Sequence, residues 1–175
     1  NGSELFEIAE KNNVLLLYEA AVAGGIPIIK MLKNNIFLNN VKKISGILNG
    51  TTNFILTTMF EKNLSFDQVL EIAKSKGYTS DSESELDIGG LDSAHKLTIL
   101  ATLSYGAKLN FENNIITGIS NIHINDIVNA DKLGYKIKLI SEVSVLDNKI
   151  YCETSPKLIN VNEPLANVNG VLNAI

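Results

Sequence analysis

The sequence has 175 residues, 45% of them hydrophobic, and a formal net charge of −4. That is enough apolar material for one ordinary domain core and too much for a disordered chain. All fifteen cations are lysines, which argues against a nucleic-acid partner, and a single cysteine, Cys152, excludes an internal disulfide or a cysteine-rich metal site.

Leu5, Phe6, Ile8 and Ala9 predict a helix over about 3–12, followed by a buried strand over 14–21. Val14 to Ile29 is the most apolar run, but Glu19, Gly24, Gly25 and Pro27 interrupt it, so no membrane span is expected. With no targeting segment visible, a soluble, cytoplasmic protein is expected. Pro27 opens a second helix to about 34, and Lys42 to Leu48 alternates as a strand. Residues 51–61 and 66–75 read as helices, the second opened by a Ser65–Gln68 capping box and stopped by Gly77. The acidic stretch 79–90 reads as a solvated loop. From Leu91 to about Tyr105 the helix is apolar nearly all round and therefore buried. A polar helix near 124–132 precedes two strands within Tyr135 to Thr154, joined at Asp147-Asn148, and a further strand precedes Asn173-Ala174-Ile175. The mixture describes an α+β domain, a mixed or antiparallel sheet covered by helices.

No Gly-rich dinucleotide fingerprint is present, and Gly46, Gly50 and Thr51 lack the lysine of a P-loop. His95 and His123 are far apart, which argues against a histidine metal site or a Ser-His-Asp triad. Asp92 and Lys96 lie about 40° apart on one helical face, in the sector of Ile99 and Leu103. They are either an i, i+4 ion pair or a proton-donating lysine in a partly desolvated cleft, oriented by Asp92. Ser45 to Asn53 spans a strand-to-helix junction, either an anion seat or a plain turn with a threonine cap. Glu19, in an apolar strand, needs a partner. Physics alone slightly favours a helix cap over a small hard cation held with nearby carbonyls.

Three segments taken together, Tyr18 to Ile29, Gly46 to Asn53 and Gly90 to Leu97, resemble in order and spacing the substrate domain of homoserine dehydrogenase. Ile119 to Leu139 and Pro164 to Ala174 continue the likeness, so that it covers nearly the whole chain. The resemblance implies an α+β sheet similar to the C-terminal domain of glyceraldehyde-3-phosphate dehydrogenase. It also implies that residues 1–175 are the catalytic, substrate-binding and dimerisation part, cut at both ends, whose nucleotide-binding domain lies elsewhere.

By the same resemblance the reaction is reduction of L-aspartate 4-semialdehyde to L-homoserine with NAD(P)H, on the route to threonine and methionine, by a homodimer. Lys96 becomes the proton donor and Asp92 its partner and a substrate contact. Asp87 holds the substrate amino group, and Gly50 and Thr51 lie where substrate and nicotinamide meet. Glu19, with the backbones of Val22, Gly24 and Ile26, forms a site for a monovalent cation such as Na+ or K+. The family's substrate-binding glutamate follows an aromatic corresponding to Tyr78 by two residues, but position 80 is Ser. Tyr78 and Asp81 are taken as substrate contacts on this longer loop, with Glu83 as the alternative to Asp81. A rival reading is an amino-acid-binding and dimerisation module that does no chemistry when isolated.

Overall fold

The computed structural model describes residues 2–35, 41–107 and 111–175. In chain order the elements are α1 (Gly2–Lys11), α2 (Ile28–Asn35), β1 (Lys43–Gly46), α3 (Gly50–Lys62), α4 (Phe66–Ser75), α5 (Ser84–Ile88), α6 (Leu91–Tyr105), β2 (Ile115–Ile116), α7 (Ile124–Lys132), β3 (Tyr135–Leu146) and β4 (Lys149–Asn160). The strands form one mixed sheet in the order β1-β3-β4-β2, antiparallel except for the parallel β2–β4 pair. The domain is α+β, as the sequence predicts.

The β3–β4 hairpin is the spine of the sheet. Asp147 and Asn148 have φ of 48° and 57°, the left-handed pair that a two-residue turn needs to follow strand twist. The turn sets Val143 opposite Cys152 and Ser141 opposite Thr154. Those residues are buried. The core has two lobes: α2 and α6 against the sheet, through Ile28, Ile29, Leu97, Leu100 and Val143, and α3, α4 and α7 around Ile55, Met59, Val69, Ile127 and Leu139. The capping box of Ser65 and Gln68 forms as expected, and α6 ends at Gly106 in the left-handed conformation with its N–H on the Thr102 carbonyl.

Three expectations fail. The strand over 14–21 does not form: residues 14–18 have no ladder partner among the described residues, and Leu15 and Leu17 are 88% and 81% exposed. An apolar run is necessary for a buried strand but cannot supply the neighbouring N–H and C=O groups that pairing requires. The acidic stretch 79–90 is not all loop, because its second half folds as α5. Gly118 makes this possible: its backbone lies so close to the Ile88 carbonyl that a Cβ would fall 2.2 Å from that oxygen, and the next N–H, of Ile119, bonds it at 2.8 Å. The strand expected before Asn173 shrinks to one antiparallel bridge, Ile47 with Ala174, after a 3₁₀ turn at Pro164–Asn167. The two-residue β2 has no sequence periodicity to announce it.

Candidate active site

The N-terminal ends of α3 and α6 meet α5 and the loop after α4 around a cavity of about 570 Å³. Its polar wall is Asn49, Thr51, Glu83, Asp87, Asp92 and Lys96, with Gly50, Tyr78 and Val171 beside them. The ammonium of Lys96 donates to Asp92 Oδ2 at 2.6 Å and to the Leu48 carbonyl at 3.2 Å. The pair is half-buried, with side chains 26% and 34% exposed. It is neither a solvated surface pair nor a sealed one, and its charges face a space that a small molecule can enter.

The second carboxylate, Asp87, is fixed from two sides. Its Oδ1 accepts from Asn49 Nδ2 at 2.7 Å and its Oδ2 from the Thr79 hydroxyl at 3.0 Å. Thr51 donates its hydroxyl to the Tyr78 carbonyl at 2.8 Å, tying the loop to α3, and the Tyr78 ring meets Phe54 edge-on at 4.8 Å. Gly50 is needed for close approach: a Cβ there would lie 2.7 Å from the Val171 carbonyl, so any other residue would push the far wall outward.

The structure therefore brings together Lys96, Asp92, Asp87, Gly50, Thr51 and Tyr78. Asp81 is a correction. Its side chain is 91% exposed and forms a 2.7 Å ion pair with Lys74 on α4, away from the cavity, and the Lys74 ammonium holds its carboxyl below the ordinary aspartate range. The extra loop residue turns position 81 outward and leaves Glu83, which accepts from the Ser80 hydroxyl at 3.0 Å, on the cavity wall. Asn49 and Val171 were not expected there. Asn49 could have been suspected from its place before Gly50 as the cap of α3, a role it performs by accepting the Thr52 N–H at 2.8 Å. Val171 carries no sequence signal.

Glu19 is a helix cap, the reading that physics alone favoured. Its two carboxylate oxygens accept the Ile29 and Lys30 N–H groups at 2.7 and 3.0 Å, satisfying donors at the start of α2. The carboxylate is thus spent on the helix. The main chain around it turns through Ala23 and Gly24, both with φ of 57°, and the carbonyls of Val22 and Gly24 accept no backbone hydrogen bond among the described residues. A group of main-chain oxygens near a capped carboxylate fits a weakly held monovalent cation better than a divalent one.

A separate polar knot lies behind the cavity. Lys138, 3% exposed, donates to Asn53 Oδ1 at 3.1 Å, the Val168 carbonyl at 2.6 Å and Asn169 Oδ1 at 3.1 Å. Asn53 returns donors to the carbonyls of Val168 and Leu172 at 3.0 and 3.1 Å. Burial, then the charge of Lys136, pushes the Lys138 ammonium down to about 8, against a smaller opposite pull from Glu61.

Residues 27–175 match the family model described as homoserine dehydrogenase. The chain belongs to the homoserine dehydrogenase family. Among relatives, the homoserine dehydrogenase of Neisseria gonorrhoeae is 45% identical over 174 residues, which are 99% of this chain and 40% of that protein. The enzyme of Methanocaldococcus jannaschii is 40% identical over 170 residues, covering 97% of this chain and 49% of that one. A crystal structure of a homoserine dehydrogenase from Thiobacillus denitrificans superposes with a TM-score of 0.93 at 42% identity, over 98% of this chain and 40% of that chain. A hyperthermophilic archaeal homoserine dehydrogenase mutant in complex with NADPH gives 0.78 at 32% identity, over 98% of this chain and 48% of its own. The present chain thus spans about two fifths of the length of the first relatives it matches. This is an oxidoreductase family, and among the described residues no helix is long and apolar enough to cross a membrane.

Proposed function

We propose that residues 1–175 are the substrate-binding, catalytic and dimerisation domain of an NAD(P)-dependent homoserine dehydrogenase, reducing L-aspartate 4-semialdehyde to L-homoserine. The observation that carries this reading is the Lys96 ammonium, held by Asp92 and the Leu48 carbonyl, on the wall of a cavity large enough for an amino aldehyde. Lys96 Nζ donates a proton to the aldehyde oxygen as it becomes an alkoxide and stabilises the charge that develops there. Asp92 keeps the amine in place between turnovers. Asp87 and Glu83, two further carboxylates on the cavity wall, receive the α-ammonium of the substrate. The substrate carboxylate is left to main-chain N–H groups at the start of α3, since the sequence has no arginine.

When bound, the nicotinamide supplies the hydride. Gly50 and Thr51, on the cavity wall, would be the residues of this chain that meet it. The monovalent cation would be held by the main-chain oxygens of Val22 and Gly24 with Glu19 and Ile26 beside them, where it would brace the turn leading into α2. A homodimer, which the likeness to the family implies, is part of this reading. A cytoplasmic place in threonine and methionine biosynthesis follows from the substrate.

The test is NADPH and NADH oxidation by the full-length protein with aspartate semialdehyde, repeated for Lys96→Ala and Asp92→Ala. Turnover by the wild type and its loss in both variants supports the reading. Near-normal turnover in the variants would reject the assigned roles. The rival reading, a binding module without chemistry, predicts homoserine binding by calorimetry but no turnover in the full-length protein.

A further inference from the structure

Asn49 is 4% exposed and uses both ends of its amide. Its oxygen accepts the Thr52 N–H at 2.8 Å, which caps α3, so the amide nitrogen must face the other way. That nitrogen donates to Asp87 Oδ1 at 2.7 Å and to Asp92 Oδ2 at 2.9 Å. A flipped amide would aim its oxygen at two carboxylates and its NH2 at a backbone N–H, so the cap fixes the orientation. Three elements are joined through one side chain: α3 through the cap, α5 through Asp87 and α6 through Asp92.

Two carboxylates converging on one place repel each other unless a donor stands between them. Asn49 supplies both donors without adding charge. Asp92 Oδ2 accepts from Asn49 and from Lys96 together, while its Oδ1 has no hydrogen-bond donor among the described residues. We propose that Asn49 is a positioning residue of this site, a neutral bridge that holds the Asp87 and Asp92 carboxylates together and spaced for an amino aldehyde. The proposal rests on the functional reading above. Asn49 itself reaches the reaction only through these two aspartates. The ionisable groups that share the cavity with it are Asp87 from α5, Asp92 and Lys96 from α6, and Tyr78 and Glu83 from the segment between α4 and α5, while the adjoining end of α3 presents none.

The experiment uses the full-length enzyme with Asn49→Ser and Asn49→Asp. Both residues can cap α3, so the helix start is kept while the amide donor is lost. Hydrogen bonds to charged groups are the costly ones to lose, so kcat/KM is expected to fall about tenfold to a hundredfold in N49S, evenly from pH 6 to pH 8. In N49D a third carboxylate enters the cluster. Its like charge beside Asp87 and Asp92 should make its deficit larger than that of N49S, with KM for aspartate semialdehyde rising by more than kcat falls. Equal deficits for the two variants at every pH, a change of less than twofold in both, or loss of the native circular dichroism spectrum in both would overturn the assignment and leave Asn49 as a helix cap. A wild type inactive on aspartate semialdehyde would overturn the functional reading instead, a result separate from any comparison among the variants.

Discussion

Lys138 offers a quantitative check because its environment opposes its charge. The amine lies among neutral acceptors, Asn53 Oδ1, Val168 O and Asn169 Oδ1, with no carboxylate among them. Moving its pKa from 10.5 to about 8 disfavours the ammonium in the fold by about 3 kcal/mol, at roughly 1.4 kcal/mol per pH unit. The sign follows from proton binding. Between pH 8 and 10.5 the unfolded chain holds more protons at this residue than the native one, so its contribution to stability rises with pH through that window. Below pH 8 both states are protonated and the full penalty is present. Lys138→Met removes the titration, so subtracting its unfolding free energy from that of the wild type cancels the alkaline titrations common to both. The difference should be flat from pH 6.5 to 7.5 and then move in favour of the wild type, by about 2 kcal/mol between pH 8 and pH 10. Equilibrium urea unfolding at five pH values would measure it, and the 13Cε shift of Lys138 would report the pKa directly. A flat difference up to pH 10, or a 13Cε midpoint above 10, would refute the argument from burial.

Lys96→Ala and Asp92→Ala in the full-length enzyme should lower kcat by roughly 10²- to 10⁴-fold with an unchanged circular dichroism spectrum, as expected for a lost proton donor. Glu83→Gln should raise KM for aspartate semialdehyde about tenfold or more, whereas Asp81→Asn, with its carboxylate on Lys74, should leave KM within about twofold, both read from initial rates. Gly118→Ala places a Cβ 2.2 Å from the Ile88 carbonyl and should cost about 3 kcal/mol or more in urea unfolding, with a rise in KM as α5 is displaced. A neutral outcome for Gly118→Ala would show that α5 yields without disturbing Asp87.

Much of this site was legible because its chemistry follows local spacing. Asp92 and Lys96 stand one turn apart on a helix whose period is plain in the sequence, and that spacing alone lets them meet through Asp92 Oδ2. Ser65 and Gln68 were readable for the same reason. The loop contact was not. Whether Asp81 or Glu83 reaches the cavity depends on the turn geometry of one extra residue and on a competing cation, Lys74, one helix away. The bridging role of Asn49 depends on Asp87 and Asp92, 38 and 43 residues downstream, and a propensity argument sees only its cap. The strand misread at 14–21 failed similarly: Leu15 and Leu17 have the composition of a buried strand, and only a neighbouring backbone decides whether they become one.

The wall built by Val171 has a consequence for synthesis. Gly50 contributes to the cavity from the first third of the sequence, yet the carbonyl that packs on it belongs to residue 171, and the Ile47–Ala174 bridge closes a still wider loop. A ribosome would have to release nearly all of this segment before the pocket could acquire its last side. Until then Asn53 and Lys138 would lack the Val168 and Leu172 carbonyls that occupy them in the finished fold. A nascent chain stalled before residue 168 should therefore have a formed α6, with Asp92 and Lys96 already paired, and no competent place for an amino aldehyde to dock.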